Sequence, residues 1–579
     1  MLSKEREKIL PFFAFAGIFT FWLWRIQYGA ADAYSGLYDE AFYIATPYRM
    51  LFGDLLLFDE TIYSQLFAFL TYPLVWLYQI IMGGTEGIVL AFRLLWVCFH
   101  LATAVFAYML MRKQYYYAIF AAVFFSLARP VGFSALSYNT IPLMTVTILI
   151  LLYYLGYDAP VINIYKGFLL ATVVLCNPYC IVLYLAILAV QIAQIAKEDK
   201  RVKRGGVTAL IQLHIGIALL LIPFILYFVI NMIHRGIGFS QFLLQIVEIM
   251  RSGEGDGHGV VGGSIGFLLL NKAWFAIDFA LMFGLFPVLY LPIVVAGVVK
   301  KRLRRNCLLM VLALCTAFSV YAAVKYTACF VLCFLFFLAL AAGILYWDIF
   351  KRKFLLAYTL AILFVVATEF CSNTQLHAVS WACVPAGVLS FLMLEEVLAN
   401  EEVSVNNSGV ICFRIATVLM IIVCGAVMFH DYHGIPREQQ IPNLTSKISE
   451  GPLKGLYTTQ ERSELYAGIY RNLTGLQLDE DDKVLTHPLN SIDILILQRE
   501  VCAPTAYIFG GLASERAERY YLSHVDKIPT VIFVNKLLVD GLCDEECLWL
   551  VRNGYILSES TEDYDVYRLR KDGNGSNER

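Results

Sequence analysis

Two acidic pairs, Asp39-Glu40 and Asp59-Glu60, flank a single arginine, Arg49, in the segment that follows the first apolar run. A carboxylate can take the proton of a hydroxyl or amine acceptor, and a cation can stabilise a leaving phosphate. Arginine suits phosphate oxygens through its charge and its planar set of donors. The residue types therefore predict chemistry between a phosphate-linked donor and a nucleophilic acceptor.

The rest of the chain predicts a membrane protein around these residues. Of its 579 residues, 59% are hydrophobic and only 16% are charged, with a mean hydropathy of +0.67, which excludes an ordinary soluble enzyme. Apolar runs long enough to span predict about thirteen transmembrane helices, at 9–27, 88–111, 114–130, 139–156, 162–177, 180–196, 207–232, 274–298, 307–323, 327–346, 354–371, 376–397 and 410–430. The apolar run 62–82 instead predicts an interfacial helix that does not cross.

Basic loops predict the orientation of this bundle. They all fall on one side of it, at 4–8, 112–113, 197–204, 300–305 and 351–353. The positive-inside rule makes that side cytoplasmic. The first apolar run lacks a cleavage site, so it is expected to stay as an anchor. The transmembrane domain is then 1–430, and the loops 28–87 and 233–273 and the tail 431–579 are predicted outside.

Polar side chains collect at the outer ends of the predicted spans, where basic residues are usually scarce. Ionisable groups at membrane depth are costly and commonly mark a site, although any one of them could extend to the interface instead. The set consists of Arg25, Arg93, Arg129, Asn139, Asn177, His234, Arg235, Asp278, Lys325, Glu369, Asn373 and His377. Together they predict a site for an anion, such as a lipid phosphate, at the outer surface. His100 and His214, nearer mid-span, are expected to be structural.

The order of residues in the first outer loop resembles the C-type membrane glycosyltransferases (GT-C). More narrowly, it is similar to the superfamily of the protein O-mannosyltransferases and the bacterial lipid A aminoarabinose transferase. The shared pattern is D-E-x-x-Y, an arginine, Gly-Asp, a second acidic pair, an interfacial helix and an arginine in the next span. Its residues are Asp39, Glu40, Tyr43, Arg49, Gly53, Asp54, Asp59, Glu60 and Arg93. The resemblance also takes in ARPVGFSALSYNT (128–140) and LCNPY (175–179).

This resemblance implies an inverting transferase that uses a polyprenyl- or dolichyl-phosphate sugar as donor. The family has an essential acidic residue in its first outer loop, and that role maps onto Asp39, with Glu40 and Asp59 as further candidates. In the aminoarabinose enzyme a Glu-Lys pair follows the turn, whereas this chain has Asp59-Glu60 and no lysine there. Other basic residues must therefore bind the donor phosphate, and the candidates are Arg49, Arg93, His234, Arg235 and Lys325.

Asp39 also has a simpler interpretation. It stands where a helix of about 40–52, kinked near Pro47, is predicted to begin, with Gly53 closing it. Asp39 could then be only the N-cap of that helix. Adjacent residues project about 100° apart on a helix, so Asp39 and Glu40 are not expected to contact the same substrate atom.

The other two outer segments are less specific. The loop 233–273 predicts a short amphipathic helix and a glycine-rich lid. Its GEGDGHG run, 253–259, is spaced for a flexible loop, so no metal or other cofactor is expected. The tail alternates strand-like runs (KVLTH, TVIFVN, VYRLRK) with helical patterns at 459–473, 514–524 and 544–553, which predicts a small α/β domain with a disordered end. A disulfide between two of the residues Cys502, Cys543 and Cys547 is possible if that side of the membrane is oxidising.

The predicted fold class is mainly α, a polytopic transmembrane helix bundle with a C-terminal extracytoplasmic α/β domain. The predicted function is a membrane glycosyltransferase in a bacterial plasma membrane. Its expected partners are a polyprenyl-phosphate sugar donor, a glycan, lipid or protein acceptor and membrane lipids, with no nucleic acid. A transporter or flippase of lipid-linked glycans is the alternative, although the sequence lacks the internal repeats and broken mid-membrane helices usual in transporters. A non-catalytic receptor would leave the outer polar residues unexplained.

Overall fold

The computed structural model describes residues 2–30, 39–62, 64–129, 134–197, 200–252, 277, 279, 281–326, 330–371, 376–402, 407–431, 439–507, 511–539 and 542–570. It is 72% helical, which confirms the predicted class. The chain forms two compact units. Unit one comprises Met1–Arg25, Leu95–Val229 and Gly263–His433, and unit two comprises Ile26–Leu94, Ile230–Gly262 and Gly434–Arg579.

Seventeen helices precede the tail in the described part of the chain. They are α1 (Leu2–Arg25), α2 (Asp39–Arg49), α3 (Phe67–Met82), α4 (Ile88–Met111), α5 (Ala118–Leu127), α6 (Thr140–Tyr154), α7 (Pro160–Cys176), α8 (Ile181–Lys197), α9 (Lys200–Arg235), α10 (Phe239–Ser252), α11 (Leu285–Val299), α12 (Arg304–Lys325), α13 (Val331–Leu345), α14 (Trp347–Cys371), α15 (Leu376–Ala382), α16 (Val384–Glu402) and α17 (Asn407–Asp431).

These helices follow the predicted spans. Within the described ranges, seven helices are long and apolar enough to cross a membrane, and seven more are apolar but shorter. One of the shorter ones, α3, is the predicted interfacial helix, and the others fall on the remaining predicted spans. A multi-pass helix bundle is therefore confirmed, while the crossing of each individual span stays a prediction.

The predicted span 376–397 differs from its neighbours because two helices, α15 and α16, replace one. The break falls at Cys383, two residues before Pro385. Proline has no N–H to donate to the preceding turn, and its ring crowds the carbonyl there. The sequence pattern of apolar residues continues through the break, which is why periodicity alone did not reveal it.

Two close contacts illustrate how unit one is packed. A Cβ added to Gly167 of α7 would lie 1.9 Å from the carbonyl oxygen of Leu213 in α9, and one added to Gly216 would lie 1.8 Å from that of Ile164. Small residues allow such close approach of helices in a membrane. His100 is buried, and its Nε2 lies 3.0 Å from the Phe125 carbonyl oxygen, in keeping with the structural role expected for it.

The tail in unit two is a small α/β fold, as predicted. Its strands are β1 (Ser446–Lys447), β2 (Tyr457–Thr458), β3 (Val484–His487), β4 (Val531–Asn535), β5 (Tyr555–Ser560) and β6 (Tyr564–Leu569), and its helices are α18 (Gln460–Gly475), α19 (Ser491–Leu497), α20 (Glu515–Ser523) and α21 (Asp544–Arg552). The four-stranded sheet has the order β3-β4-β6-β5, in which only the β3-β4 pair is parallel. Cys502 is buried, Cys543 and Cys547 are exposed, and these three thiols are free.

Backbone hydrogen bonds join the loop 28–87, called the acidic loop below, to the tail within unit two. The Gly29 N–H donates to the Tyr457 carbonyl (2.9 Å), and the Thr61 N–H donates to the Pro504 carbonyl (2.9 Å). The ring of Phe42 in α2 also lies 5.0 Å from that of Tyr507. The tail therefore helps to position the acidic loop. The predicted division of the chain at residue 430 stays a prediction.

Candidate functional site

Helix α2 begins and ends where the sequence predicted. Asp39 and Glu40 occupy its first turn, and Pro47 lies inside it. A 3-10 turn, Met50–Phe52, extends it to Gly53, which has a φ of 91° and donates its N–H to the Met50 carbonyl. Only glycine adopts this left-handed conformation without strain. The acidic loop is therefore a rigid helix followed by a sharp turn.

Glu40 is held by an arginine of α4. Its Oε2 accepts a hydrogen bond of 2.6 Å from Nε of Arg93, and both side chains are about 6% exposed. Arg93 also donates to the carbonyl oxygens of Ile26 (2.8 Å) and Gly29 (2.7 Å). This buried pair fixes the start of α2 against α4. Both residues were predicted in the site, Glu40 as a carboxylate and Arg93 as a phosphate ligand.

Arg49 lies at the centre of a buried ion network. Its Nε donates to Asp54 (2.6 Å) and its Nη1 to Glu60 (3.1 Å). Its Nη2 donates to the carbonyl oxygens of Asp59 (3.2 Å) and Ala503 (2.8 Å). Four of its five N–H groups are therefore engaged inside the protein, which leaves Arg49 little capacity for a phosphate in this arrangement.

The tail contributes a second cation to this network. Nζ of Lys527 donates to Asp54 (2.5 Å) and to Glu500 (2.6 Å). Burial opposes ionisation of these groups, but the opposite charges outweigh it. The pKa of Asp54 consequently lies below its usual value, because Arg49 and Lys527 favour the carboxylate. For the same reason the pKa values of Lys527 and Arg49 lie above theirs.

Asp59 joins the network to the C-terminal end of α9. It is completely buried and accepts hydrogen bonds from both terminal nitrogens of Arg235, one of them at 3.0 Å, and from the Leu55 N–H at 2.6 Å. Nε2 of His524 lies 4.0 Å from its Oδ1. Burial lowers the pKa of His524, and nearby Asp59 only partly offsets this. The Arg235 side chain stays 21% exposed, so part of it faces away from the protein.

Exposure separates Asp39 from the other carboxylates of the loop. Within the described residues between 39 and 62, the other carboxylates, Glu40, Asp54, Asp59 and Glu60, are at most 5% exposed, and each binds an arginine or a lysine. Asp39, in contrast, is only half-buried, with one carboxylate oxygen, Oδ1, buried. Of these five residues, Asp39 is therefore the most exposed.

The remaining predicted residues lie in different places. His234 is exposed beside Arg235 in unit two. Lys325 belongs to unit one, where it is exposed at the end of α12 and its Nζ lies 3.1 Å from the Tyr321 hydroxyl oxygen. Asp278, Asn373 and most of the predicted lid, 253–276, lie outside the described residues, as does the GEGDGHG run. Elsewhere in the described chain, no cluster of three or more His, Cys, Asp or Glu residues could hold a metal.

Three residues of the network were not found from the sequence: Glu500, His524 and Lys527. They follow Asp54 and Asp59 by more than 400 positions, and no motif surrounds them. Pairing at such separation depends on the folded tail and not on any local pattern. Only the need to neutralise the buried carboxylates of the acidic loop could have indicated that distant cations were required.

Comparison with known proteins gives a similarity of fold to a solved structure. No family model matches the chain, and no curated protein matches it. Among solved structures, the chain is similar to the crystal structure of ArnT from Cupriavidus metallidurans bound to undecaprenyl phosphate, over 98% of this chain and 99% of that one, at 11% identity and a TM-score of 0.48. ArnT, the lipid A aminoarabinose transferase, is a GT-C membrane glycosyltransferase, the superfamily that the acidic loop resembles. Because the identity and the TM-score are low, the function proposed next rests on the site itself.

Proposed function

We propose that this protein is an inverting membrane glycosyltransferase. It transfers a sugar from a polyprenyl-phosphate donor to an acceptor at the outer face of the membrane, with Asp39 as general base. The observation that carries the proposal is the contrast in the acidic loop: Asp39 is only half-buried, while its neighbours Glu40, Asp54, Asp59 and Glu60 are buried against cations. A base must reach the acceptor's proton, and of these five carboxylate residues Asp39 is the most exposed.

The reaction follows from these positions. An acceptor oxygen or nitrogen forms a bond to the anomeric carbon as the bond from that carbon to the phosphate oxygen breaks. The acceptor's proton passes to Asp39, and the electron pair leaves with the polyprenyl phosphate. A single displacement of this kind inverts the anomeric centre. The negative charge that grows on the phosphate needs a positioned cation.

Arg235 is the best-placed cation for that phosphate among the described basic residues of unit two. Asp59 binds both terminal nitrogens of its guanidinium, which fixes the orientation of the group, and the side chain stays 21% exposed. In this proposal Asp59 acts as a positioning residue for Arg235. His234, on the same turn, is a second candidate. The network around Arg49 then serves to hold the acidic loop in shape.

Replacing Arg235 with glutamine should raise the KM for the donor about 10- to 100-fold, the equivalent of one charge-assisted hydrogen bond. Initial rates over a range of donor concentrations measure this. Arg235→Lys keeps the charge near Asp59 and should recover part of the affinity. Lys454→Gln, which alters an exposed ion pair with Glu86, is the matched control. An unchanged KM in both Arg235 variants would remove this residue from the site.

The proposal also requires the tail and the acidic loop to be outside. The basic loops support this orientation through the positive-inside rule. Cys543 and Cys547 are exposed thiols of the tail, so a membrane-impermeant maleimide should label them in intact spheroplasts. Labelling should disappear in a Cys543→Ser/Cys547→Ser variant. If these thiols react only after permeabilisation, the orientation is reversed and the proposed site moves to the cytoplasmic face.

The direct test is incubation of the purified protein with a panel of radiolabelled polyprenyl-phosphate sugars, in which transfer or hydrolysis is scored. The same panel distinguishes a transferase from the alternative function, since a transporter or flippase moves the donor across the bilayer and leaves its sugar–phosphate bond intact.

A further inference from the structure

A short turn of the tail exposes two large apolar side chains beside the ion network. Leu522 is 81% exposed and Val525 is 69% exposed. Their neighbours His524 and Lys527 are buried: Nε2 of His524 lies 4.0 Å from Asp59, and Lys527 binds Asp54 of the acidic loop. The turn is therefore held firmly while its apolar side chains face outward. Exposed apolar surface on a fixed element commonly marks an interaction site.

The position of this turn indicates what lies against it. Asp526, next to Val525, lies 3.8 Å from Nη2 of Arg235, at the outer end of α9. Helix α9 is long and apolar enough to cross a membrane over Gly205–Arg235. Its last turns expose Ile230 (62%) and Ile233 (76%). Because apolar side chains at the end of a span face lipid, the turn of the tail lies at a depth where lipid still covers α9.

Two other segments that are near Arg235 or the acidic loop in the chain also expose apolar side chains. Helix α10 begins four residues after Arg235 and is amphipathic, with Phe242, Gln245 and Ile249 buried. Its opposite face exposes Phe239, Leu243, Leu244 and Val247. Phe52, which precedes the turn at Gly53, is also partly exposed. An amphipathic helix that directly follows a membrane span is typical of the bilayer interface.

We infer that Leu522 and Val525 insert into the outer leaflet, so that the tail itself binds the membrane. The partner is bilayer lipid at the boundary between head groups and acyl chains. A protein partner is less well supported, because the turn contacts, through Asp526 and Arg235, the end of a helix that is long and apolar enough to cross a membrane. The interaction anchors the turn that supplies His524 and Lys527 to the acidic loop.

Photo-crosslinking of the full-length protein in nanodiscs tests this inference without any sugar donor, so its outcome is independent of the proposed function. The nanodiscs contain tritiated phosphatidylethanolamine and phosphatidylglycerol, and p-benzoylphenylalanine replaces Leu522 or Val525, one at a time. Because both side chains are exposed, the replacements should not disturb folding. We expect irradiation to attach about tenfold more lipid at these positions than at a solvent-facing position.

Two further positions make the result decisive. Glu480 is exposed in the acidic run 479–482 of the tail, and its replacement gives the background. Ile233 gives the signal expected from a lipid-facing side chain. Background labelling at both 522 and 525 would overturn the inference, as would crosslinks to the protein chain in place of lipid. Background labelling at Ile233 would also overturn it, since the turn would then lie beyond the lipid.

Discussion

Replacing Asp39 with asparagine should lower the rate of sugar transfer about 10²- to 10⁴-fold, the usual contribution of a positioned general base. Asparagine keeps the shape of the side chain and caps a helix about as well as aspartate, so the start of α2 should remain intact. It removes the charge and the basicity. The loss should therefore appear in kcat, while the yield and the denaturation temperature stay near those of the wild type.

The same variant separates catalysis from capping. If Asp39 were only an N-cap, Asp39→Asn would retain most of the activity, and Asp39→Ala would lose about 1 kcal/mol of stability and little else. Glu86→Gln is the matched control, because Glu86 is an exposed carboxylate in the same unit. Near-normal turnover of Asp39→Asn would defeat the assignment, and Glu40 and Asp59 would be the next candidates.

Replacing Arg49 with methionine should destabilise the protein by about 3–5 kcal/mol, the usual cost of removing one partner from a buried ion pair. Asp54 keeps Lys527 as a partner, but Glu60 loses the cation that it pairs with in the described structure, and its side chain stays only 3% exposed. The Ala503 and Asp59 carbonyls also lose a donor. A clear fall in the denaturation temperature of the detergent-solubilised protein measures the effect.

A second substitution should recover part of this loss. In Arg49→Met/Glu60→Gln the stranded charge is gone, while an amide oxygen can still accept from the Ala506 N–H that now binds Glu60 (2.7 Å). The double variant should therefore denature at a higher temperature than Arg49→Met alone. Lys454→Met, at an exposed ion pair, should cost at most about 1 kcal/mol. Equal stability of Arg49→Met and the wild type would show that the network does not hold the acidic loop.

Local patterns predicted the parts of this structure that depend on neighbours in the chain. The helix from Asp39 to Gly53 follows from an acidic first turn and a glycine that can adopt a positive φ. The spans follow from the length of the apolar runs, and three strands of the tail follow from their β-branched residues. Strand β5 was missed because half of its sequence, YILSES, is polar and five of its six residues are exposed.

The partners of the charged residues could not be predicted in this way. The residue type of Arg49 and its position in the acidic loop suggested that it binds phosphate. In the structure it is surrounded instead by Asp54, Glu60 and two carbonyl groups. Lys527 showed no local signal, yet it neutralises Asp54 across 473 positions. Such long-range pairing is a property of the folded unit, so only the need for neutralisation, and not the partner, can be deduced from sequence.

The central claim is that this protein breaks the bond between a sugar and a polyprenyl phosphate. The most direct measurement is the release of free polyprenyl phosphate from polyprenyl-phosphate sugars, with wild-type protein and Asp39→Asn compared in the same detergent and at equal protein concentration. We expect release of polyprenyl phosphate by the wild type with at least one sugar of the panel, and strongly reduced release by Asp39→Asn. Donors that remain intact with the folded wild-type protein, while moving across a reconstituted bilayer, would contradict the claim and identify a transporter.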